Sequence, residues 1–309
     1  MNPENVSPGE DGTQTRAGHV AIVGYPNAGK SSLLNRMLDQ KLSIVTSAAQ
    51  TTRERVLGID TRDGVQIVFV DTPGLVDPKY LLHRAMLNTV LETIPDVDVV
   101  VLLLDPTGPD REFGDEVLHL LRKKRDRLLV AVNKVDVAGA ERIGALREWA
   151  RRELGVDALE ISAGTGQGVD ELRSRIGALL PASPYLYPED EISSQSVRFF
   201  VAELVRETVF EQYGQEVPYS TTVKVDEFRE AAEPIYVRAT IFVERTSQKA
   251  ILIGKGGAAI KQLGQLARRK IEDFVGSPIY LDLWVKVLPK WRKDPISLAR
   301  LGFKIPHDS

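Results

Sequence analysis

The stretch Gly24-Tyr25-Pro26-Asn27-Ala28-Gly29-Lys30-Ser31 follows the apolar run 19–23 and precedes the helical pattern 32–38. A strand, a glycine-framed loop and a helix in this order place backbone N–H groups and a helix N-terminus around one anion. The glycines let the main chain approach phosphate oxygens. The lysine of such a loop reaches the outer phosphates, and the hydroxyl after it can bind Mg²⁺. The stretch therefore predicts a phosphate-binding loop rather than an ordinary glycine turn.

The first 180 residues alternate strand and helix patterns. Strands are predicted at 54–59, 65–70, 97–104, 128–132 and 158–161, and helices near 111–124, 140–154 and 169–180. The pair Asp63-Gly64 between the first two of these strands is a strong hairpin signal, so this strand pair is expected to be antiparallel. The pattern predicts a doubly wound, mostly parallel α/β sheet.

Two further polar motifs follow predicted strands, where ligands bind in such sheets. In Asp71-Thr72-Pro73-Gly74, the aspartate can hold Mg²⁺ through water and the Gly74 N–H can contact a γ-phosphate. A loop held only while that phosphate is present is a switch. The alternative for Asp71 is a simple turn residue.

The second motif is Asn133-Lys134-Val135-Asp136. A buried carboxylate that accepts two N–H bonds matches guanine and leaves adenine unsatisfied. Asn133 can fix the loop and bond to the base, and the stem of Lys134 can cover the base. Ser162-Ala163, after the last predicted strand, can supply a backbone donor to the guanine carbonyl.

Together these motifs, in this order, resemble the GTPase domain of the translation-factor-related superclass. The resemblance implies GTP and GDP as ligands and Mg²⁺ bound by Ser31, Thr52 and Asp71. The segment 50–53 resembles the first switch of such domains, and Thr52 is favoured over Thr51 as the residue that reaches Mg²⁺.

Two residues depart from the common signalling GTPases. Leu75 stands where many relatives carry the glutamine that orients the attacking water, so slow intrinsic turnover is expected. Asn27 lies inside the phosphate loop, and in the subgroup that this sequence resembles an asparagine here helps to bind K⁺ beside the phosphates. Its alternative role is to tolerate a left-handed backbone. Lys30, Thr52 and Asn27 form the predicted catalytic set.

Past residue 180 the composition changes. The proline-rich segment 181–196 is predicted to be a stiff linker. A helix to about 213, strands near 217–225 and 235–243, two helices around a Gly-x-x-Gly turn at 254–257 and a last strand at 278–287 follow. This order resembles the second type of KH domain, an α+β fold, over 197–288.

RNA binding is predicted at the turn Gly254-Lys255-Gly256-Gly257 and at Lys261. The two framing glycines remove side chains at a helix junction, so a nucleic-acid backbone can approach the main chain and a helix N-terminus. The region 245–304 carries thirteen Lys and Arg against four Asp and Glu, although the whole chain has a net charge of −3. This asymmetry favours a polyanionic partner, with a solvated basic face as the alternative.

The composition of the chain excludes several other classes of protein. The chain has 309 residues, enough for two domains, and no cysteine, which excludes a disulfide framework and zinc–thiolate sites. It lacks an apolar run of membrane-spanning length. The polar residues 1–18 are predicted to be a disordered leader before the GTPase domain at 19–180. In the basic tail 289–309, Trp291 is expected to stack on a base, to anchor at a membrane or to pack with Leu298 onto the domain.

A GTPase domain joined to a KH domain of this type resembles the bacterial Era family. The phrases Asp71-Thr-Pro-Gly-Leu75, Ser247-Gln-Lys-Ala-Ile251 and Trp291-Arg-Lys-Asp294 carry this resemblance. It implies a cytoplasmic GTPase that binds 16S ribosomal RNA near its 3′ end, assists maturation of the small ribosomal subunit and contacts the inner membrane peripherally; no DNA partner is expected.

From the resemblance and the motifs together we expect GTP to gate RNA binding. Two alternatives from other classes remain open. One is a non-enzymatic RNA-binding assembly factor whose nucleotide site only stabilises the fold. The other is a membrane-trafficking GTPase, although the sequence shows no lipidation signal.

Overall fold

The structure is a computed structural model, and it describes residues 15–44, 52–109 and 112–305. The chain divides into two units. Of the described residues, the first unit holds 15–43, 52–77 and 86–194, and the second holds 44, 78–85 and 195–305.

A six-stranded sheet forms the centre of the first unit. Its strands are β1 (Arg16–Gly24), β2 (Val56–Arg62), β3 (Val65–Asp71), β4 (Val99–Leu104), β5 (Leu128–Val132) and β6 (Ala158–Glu160), in the order β2-β3-β1-β4-β5-β6. Among these strands, as far as the chain is described, the β2–β3 pair is antiparallel and the other pairs are parallel. It turns at Asp63 and Gly64, whose φ angles are +54° and +75°. The predicted hairpin and the mostly parallel sheet are confirmed.

Helices cover both faces of this sheet. They are α1 (Lys30–Leu38), α2 (Leu81–Asp96, of which 86–96 belong to this unit), α3 (Asp115–Lys123), α4 (Ala140–Leu154) and α5 (Val169–Leu179). All six residues of β4 are buried. Every second residue of β4 faces the core under α1 and α5. The residues between them face the core under α2, α3 and α4. A strand covered on both faces has no polar side, which explains its continuous apolar sequence.

Two predicted boundaries of the first unit need correction. The leader predicted at 1–18 extends too far, because β1 begins at Arg16, which pairs with Val65 of β3; residues 1–14 lie outside the described part. The segment predicted as a linker is hydrogen-bonded to the sheet up to Ser193, whose hydroxyl donates to the Leu57 carbonyl. The side chain of Gln66 accepts the N–H groups of Leu186 and Tyr187 at 2.7 and 3.0 Å.

The second unit contains a three-stranded sheet with helices. Its elements are α6 (Val197–Gln212), α7 (Val217–Ser220), β7 (Thr222–Arg229), β8 (Ile235–Val243), α8 (Thr246–Ile253), α9 (Ala258–Val275), β9 (Ile279–Val287) and α10 (Pro295–Arg300). β8 is the central strand, antiparallel to β7 and parallel to β9. Residues four apart on α9 (Leu263, Ala267, Ile271) are buried in one core with β8, as expected for one face of a helix.

The element order predicted for the KH region is confirmed, with one correction. The strand predicted at 217–225 begins only at Thr222, after the helical turn α7. Pro218 at the start of this turn favours a helical first residue, and the hydroxyls of Ser220 and Thr221 donate to the Val217 carbonyl at 3.0 and 2.8 Å.

Trp291 is fully buried, and its Nε1–H donates to the Ser220 carbonyl at 2.9 Å. Leu298 is buried as well. Packing onto the domain is therefore the correct one of the three expectations, and stacking on a base or anchoring in a membrane is wrong. No helix in the described ranges has both the length and the apolar character needed to cross a bilayer.

Candidate functional site

The phosphate loop joins β1 to α1, and α1 begins at Lys30. Gly29 at its N-cap has a φ of +96° and Asn27 a φ of +67°. The Lys30 ammonium is buried and donates to the carbonyls of Gly24 and Tyr25 at 3.1 and 3.0 Å. These carbonyls hold the lysine inside the curve of the loop, where a phosphate group would meet its charge.

Three oxygen-bearing side chains meet beside this loop. The hydroxyls of Ser31 and Thr52 donate to Oδ2 of Asp71 at 3.0 and 3.2 Å, and the two hydroxyl oxygens lie 3.0 Å apart. The other carboxylate oxygen of Asp71, Oδ1, is buried without a hydrogen-bond partner among the described residues. Hydroxyl and carboxylate oxygens are the donors that Mg²⁺ prefers. The arrangement fits the Mg²⁺ set predicted from the sequence, while Gln50 and Thr51 lie outside the described part.

Burial perturbs both charged groups at this point. It lowers the pKa of Lys30 from 10.5 to about 8, although the Asp71 carboxylate acts to raise it. Burial also raises the pKa of Asp71, against the influence of Lys30 and of the hydroxyls of Ser31 and Thr52. A buried amine that is easily neutralised regains its proton readily when an anion binds beside it.

The loop after β3 contacts the phosphate loop. Thr72 is buried and its hydroxyl donates to the Ile22 carbonyl at 2.8 Å. Gly74 lies so close to Pro26 that an added Cβ would be 2.8 Å from its Cγ. The N–H of Leu75 donates to the Gly24 carbonyl at 3.0 Å, and the Leu75 side chain is buried in the core. Leu75 is therefore anchored away from solvent and cannot orient water.

Asn133 connects two loops of the site. It is buried, its Nδ2 donates to the Ala28 carbonyl at 2.8 Å, and its Oδ1 accepts the Ala163 N–H at 2.9 Å. A backbone donor to the guanine carbonyl was predicted from Ser162-Ala163; in the structure the Ala163 N–H donates to Asn133 and the Ser162 N–H donates to the Gln167 carbonyl, so a base contact requires one of them to be shared or released. Ser162, also buried, accepts the Thr165 N–H at its hydroxyl.

The other two polar residues of this motif differ in their surroundings. Lys134 has a φ of +61°, and its ammonium donates to Oδ2 of Asp105 at 2.7 Å. Asp136 is exposed and makes no hydrogen bond within the described part of the chain. The prediction of a buried acceptor at Asp136 is therefore wrong for the chain without a base, because this loop lies at the solvent-facing edge of the sheet and only a bound base would cover the carboxylate.

Asp105, which comes directly after β4, is a site residue that the sequence motifs did not identify. Burial acts to raise the pKa of Asp105, but hydrogen bonds from Lys134 and Thr107 outweigh it and hold the pKa below its usual value. The ionised carboxylate positions Lys134 for its predicted place over the base. The available signal was a polar residue at the carboxyl end of a strand.

A cavity of about 1000 Å³ adjoins the phosphate loop on this side. Its lining includes Tyr25, Asn27 and Lys134 from the predicted site and Phe113 and Trp149 from the surrounding elements. The Tyr25 ring packs on Phe113 with centroids 4.8 Å apart, and Phe113 packs on Trp149 at 5.2 Å. The cavity therefore adjoins the predicted nucleotide site, and its walls combine these aromatic rings with several charged side chains, among them Asp105, Arg142 and Glu153.

The predicted RNA-binding turn lies between α8 and α9 in the second unit. Gly254, Gly256 and Gly257 have φ angles of +70°, +61° and +81°. A Cβ on Gly254 would lie 2.6 Å from Ala259 Cβ, whereas the space around Gly256 and Gly257 is open. Lys255 and Lys261 are exposed and form no ion pair with any described residue. The turn offers bare main chain and two uncompensated positive charges to a polyanion.

Comparison with protein families gives two matches. The family described as 50S ribosome-binding GTPase matches residues 19–134, and the KH domain family matches residues 216–292. The predicted phosphate, switch and base motifs up to Lys134 lie in the first match, and the Gly-x-x-Gly turn lies in the second.

Individual relatives match nearly the whole chain. GTPase Era of Thermotoga maritima is 41% identical over 293 residues, covering 94% of this chain and 98% of the relative. GTPase Era of Afipia carboxidovorans is 38% identical over 308 residues, covering 99% and 100%. A crystal structure of an Aquifex aeolicus Era variant bound to GDP and AlF₄⁻ has a TM-score of 0.87 at 36% identity, covering 93% of this chain and 99% of that one. A structure of Era with MgGDPNP and nucleotides 1506–1542 of 16S ribosomal RNA matches with the same values.

Proposed function

Because this chain belongs to the Era family of GTPases, we propose that it binds GTP and GDP with Mg²⁺, hydrolyses GTP to GDP and phosphate, and binds small-subunit ribosomal RNA. Its first unit is a GTPase domain and its second contains a KH domain. We propose that the GTPase domain begins at Arg16 and includes the segment up to Ser193 that hydrogen-bonds to its sheet, and that a KH domain at 197–288 and a basic tail at 289–309 follow. The observation that carries the nucleotide function is the meeting of Ser31, Thr52 and Asp71 beside the buried Lys30.

Each residue of the phosphate site has a separate task. Backbone N–H groups of 24–31 and the α1 N-terminus hold phosphate oxygens, and the Lys30 ammonium turns from the Gly24 and Tyr25 carbonyls to the outer phosphates. Ser31 and Thr52 would ligate Mg²⁺ directly and Asp71 through water. When bound, Mg²⁺ neutralises negative charge on the phosphates.

Hydrolysis proceeds by attack of water on the γ-phosphate. The buried Leu75 side chain offers that water no hydrogen bond, so we propose slow intrinsic turnover with Lys30, Thr52 and Asn27 as the catalytic set. The alternative, an assembly factor with a purely structural nucleotide site, draws on the same burial of Leu75. Single-turnover hydrolysis with and without small ribosomal subunits distinguishes the two functions.

Guanine selectivity is proposed to rest on Asp136. Its exposed carboxylate has both oxygens available, and guanine presents a ring N–H beside an amino group. Lys134, held by Asp105 at 2.7 Å, lies beside the base and covers it with its stem. Adenine lacks the ring N–H, so its binding leaves a desolvated acceptor unpaired.

RNA recognition is proposed at Gly254, Lys255, Gly256, Gly257 and Lys261. The known complex of Era with nucleotides 1506–1542 of 16S ribosomal RNA, together with the KH match, supports ribosomal RNA as the ligand. We propose that this binding assists maturation of the small ribosomal subunit, and that GTP changes RNA affinity by ordering the segments around Thr52 and after Asp71.

The remaining proposals have only the family resemblance as support. These are a cytoplasmic location, peripheral contact with the inner membrane, and K⁺ as a further ion beside the phosphates. Fractionation of cell extracts, with and without a carbonate wash, tests the first two.

Titration calorimetry tests the proposed function as a whole. GDP is expected to bind at least about 100-fold more tightly than ADP, because adenine leaves the Asp136 acceptor unpaired. Equal affinity for the two nucleotides contradicts the assignment. Crosslinking of the protein to cellular RNA in GTP or GDP, followed by sequencing, tests the RNA ligand and its dependence on nucleotide.

A further inference from the structure

The sheet of the KH-containing unit has two faces. One packs on the core of this unit, and the other points away from that core. On β8 the core takes Val237, Ala239, Ile241 and Val243. The alternate residues therefore project from the opposite face, together with their partners on β7 and β9. We call this the open sheet face; its cross-strand rows are Arg229–Tyr236–Tyr280, Glu227–Arg238–Asp282, Lys224–Thr240–Trp284 and Thr222–Phe242–Lys286.

Aromatic rings are exposed on this face. Tyr280 is 59% exposed and Trp284 54% exposed, whereas Trp291 is fully buried. Tyr236 and Tyr280 stack with centroids 5.8 Å apart and an interplanar angle of 11°. Tyr280 and Trp284 are four residues apart on one strand, about 13 Å along the sheet. Large exposed rings gathered on one face mark an interaction surface rather than scattered surface residues.

Two of these rings have their polar ends bonded inside the sheet. Trp284 Nε1 and the Tyr236 hydroxyl both donate to Oδ2 of Asp282, at 3.0 and 3.1 Å. Arg238 donates to the same Tyr236 hydroxyl at 2.9 Å. This network fixes the Tyr236 and Trp284 rings before any partner arrives, and Tyr280 packs on the fixed Tyr236 ring. What the rings still offer is their π surface.

The charges on this face are unequally compensated. Asp282 and Glu227 pair with Arg238, whereas Asp226 accepts only the neutral Thr240 hydroxyl at 2.6 Å and keeps its negative charge. Lys224 and Lys286 are exposed and form no ion pair with a described residue. With Arg229, which also pairs with Glu227, four Lys and Arg face three Asp and Glu, so the charge left for a partner is positive by one. A partner with flat apolar rings and a negative backbone complements such a surface.

We propose that the open sheet face binds unpaired bases of RNA, with Tyr280 and Trp284 as stacking platforms and Lys224 and Lys286 as phosphate contacts. Aromatic side chains on an exposed sheet stack single-stranded bases in other RNA-binding folds, and nearby cations follow the backbone. The inference rests on the proposed RNA-binding function of this unit. It adds a second contact surface, separate from the turn at 254–257.

Affinity measurements with full-length protein test the platforms. The probe is a fluorescent RNA of nucleotides 1506–1542 of 16S ribosomal RNA, since these nucleotides are bound by a relative. Tyr280→Ala and Trp284→Ala are each expected to weaken binding about tenfold. The control Ile296→Ala removes an apolar side chain of similar exposure from α10 and should leave affinity unchanged. Melting temperature and GTP hydrolysis of all variants should match those of the unaltered chain.

Two further readouts follow the rings and the lysines separately. RNA should quench the tryptophan fluorescence of the unaltered chain, and this quenching should vanish in Trp284→Phe. Replacing Lys224 and Lys286 by Gln should lower the slope of log affinity against log salt by about 1.4, since each phosphate contact to a single strand contributes about 0.7.

The outcomes separate this proposal from the proposed function. If the unaltered chain binds no RNA, the RNA function fails and this proposal with it. If it binds RNA, and Gly256→Asp weakens binding while the platform variants do not, only the open sheet face is overturned. If the platform variants keep their RNA affinity but lose binding to small ribosomal subunits, the open sheet face binds a protein. That outcome likewise overturns the proposal.

Discussion

Gly29 lies directly against Asn133: a Cβ on Gly29 would sit 2.2 Å from the Asn133 Nδ2 atom. That nitrogen donates to the Ala28 carbonyl and Oδ1 of the same amide accepts the Ala163 N–H, so Asn133 holds the phosphate loop to the loop at Ala163. Glycine is therefore required at position 29 for two reasons: a side chain would clash with Asn133, and the φ angle is +96°. The phosphate-binding and base-binding parts of the site therefore depend on one close approach.

The substitution Gly29→Ala should displace Asn133 and lower GDP affinity by at least about tenfold. Gly166→Ala is the matched control, because Gly166 has a φ of +91° and open space around it. Both variants carry left-handed backbone strain of about 1–2 kcal/mol, so calorimetry with GDP isolates the contact with Asn133. Similar GDP affinities for the two variants would show that the contact is unimportant.

The substitution Asp136→Asn should shift preference from guanine to xanthine nucleotides. Xanthine presents a carbonyl where guanine has an amino group, and an amide can pair with it. GTP affinity should fall about 10- to 100-fold, the value of one or two hydrogen bonds to a charged group. Because Asp136 is exposed and bonds to no described residue, the melting temperature should not change. Asp170→Asn, another exposed aspartate, is the control, and unchanged GTP selectivity in Asp136→Asn removes the base assignment.

Lys30 should make stability depend on pH in a defined window. Its pKa in the folded chain is about 8, below the usual 10.5. Between these values the unfolded chain holds a proton that the folded chain has released, so the Lys30 contribution to the free energy of unfolding increases as pH rises from 8 to 10.5. Lys30→Met removes this group. Below pH 8 the Lys30→Met variant should be more stable than the unaltered chain by at most about 3 kcal/mol. This difference in the free energy of unfolding should shrink as the pH rises from 8 to 10.5.

Urea unfolding at several pH values measures this difference. Lys255→Met, at an exposed position, is the control and should track the unaltered chain at every pH. A constant difference between Lys30→Met and the unaltered chain from pH 8 to 10.5 contradicts the predicted titration.

The turn between α8 and α9 can be tested without disturbing the fold. Gly254→Asp should weaken RNA binding and leave GDP affinity nearly intact, but its Cβ would also press on Ala259. Gly256→Asp adds only a negative charge, because the space around Gly256 is open and Asp tolerates a positive φ. It should weaken RNA binding about tenfold by repelling phosphates. Gly214→Asp, in another open loop, is the control. Normal RNA retention by both turn variants would unseat the RNA assignment.

The sequence predicted those parts of the fold that local pattern determines. The phosphate loop, the hairpin at Asp63-Gly64 and the buried run of β4 each carry their structure in a few adjacent residues. The Asp105–Lys134 pair does not, because it depends on β4 and β5 lying side by side with Leu104 opposite Val132. Such a contact is created by strand pairing, and spacing along the chain does not reveal it.

Other differences arose where composition and context disagree. The residues of 217–221 include β-branched and aromatic types typical of strands, yet hydroxyl bonds to the Val217 carbonyl stabilise a helical turn there. The exposure of Asp136 was also not predictable, since motif spacing identifies an acceptor but not how deeply it lies.

The role of Asn27 can be resolved by cation-dependent hydrolysis. Its φ of +67° satisfies the structural alternative, a residue that tolerates a left-handed backbone. If its side-chain oxygen helps to hold K⁺, GTP hydrolysis should be faster in K⁺ than in Na⁺. The substitution Asn27→Gly keeps the backbone conformation, since glycine adopts positive φ freely, and removes only the side chain. It should therefore abolish the difference between the two cations while GDP affinity changes little. If the unaltered chain hydrolyses GTP equally in both cations, or if Asn27→Gly retains a K⁺ advantage, the side chain has no part in ion binding and the residue serves the loop conformation alone.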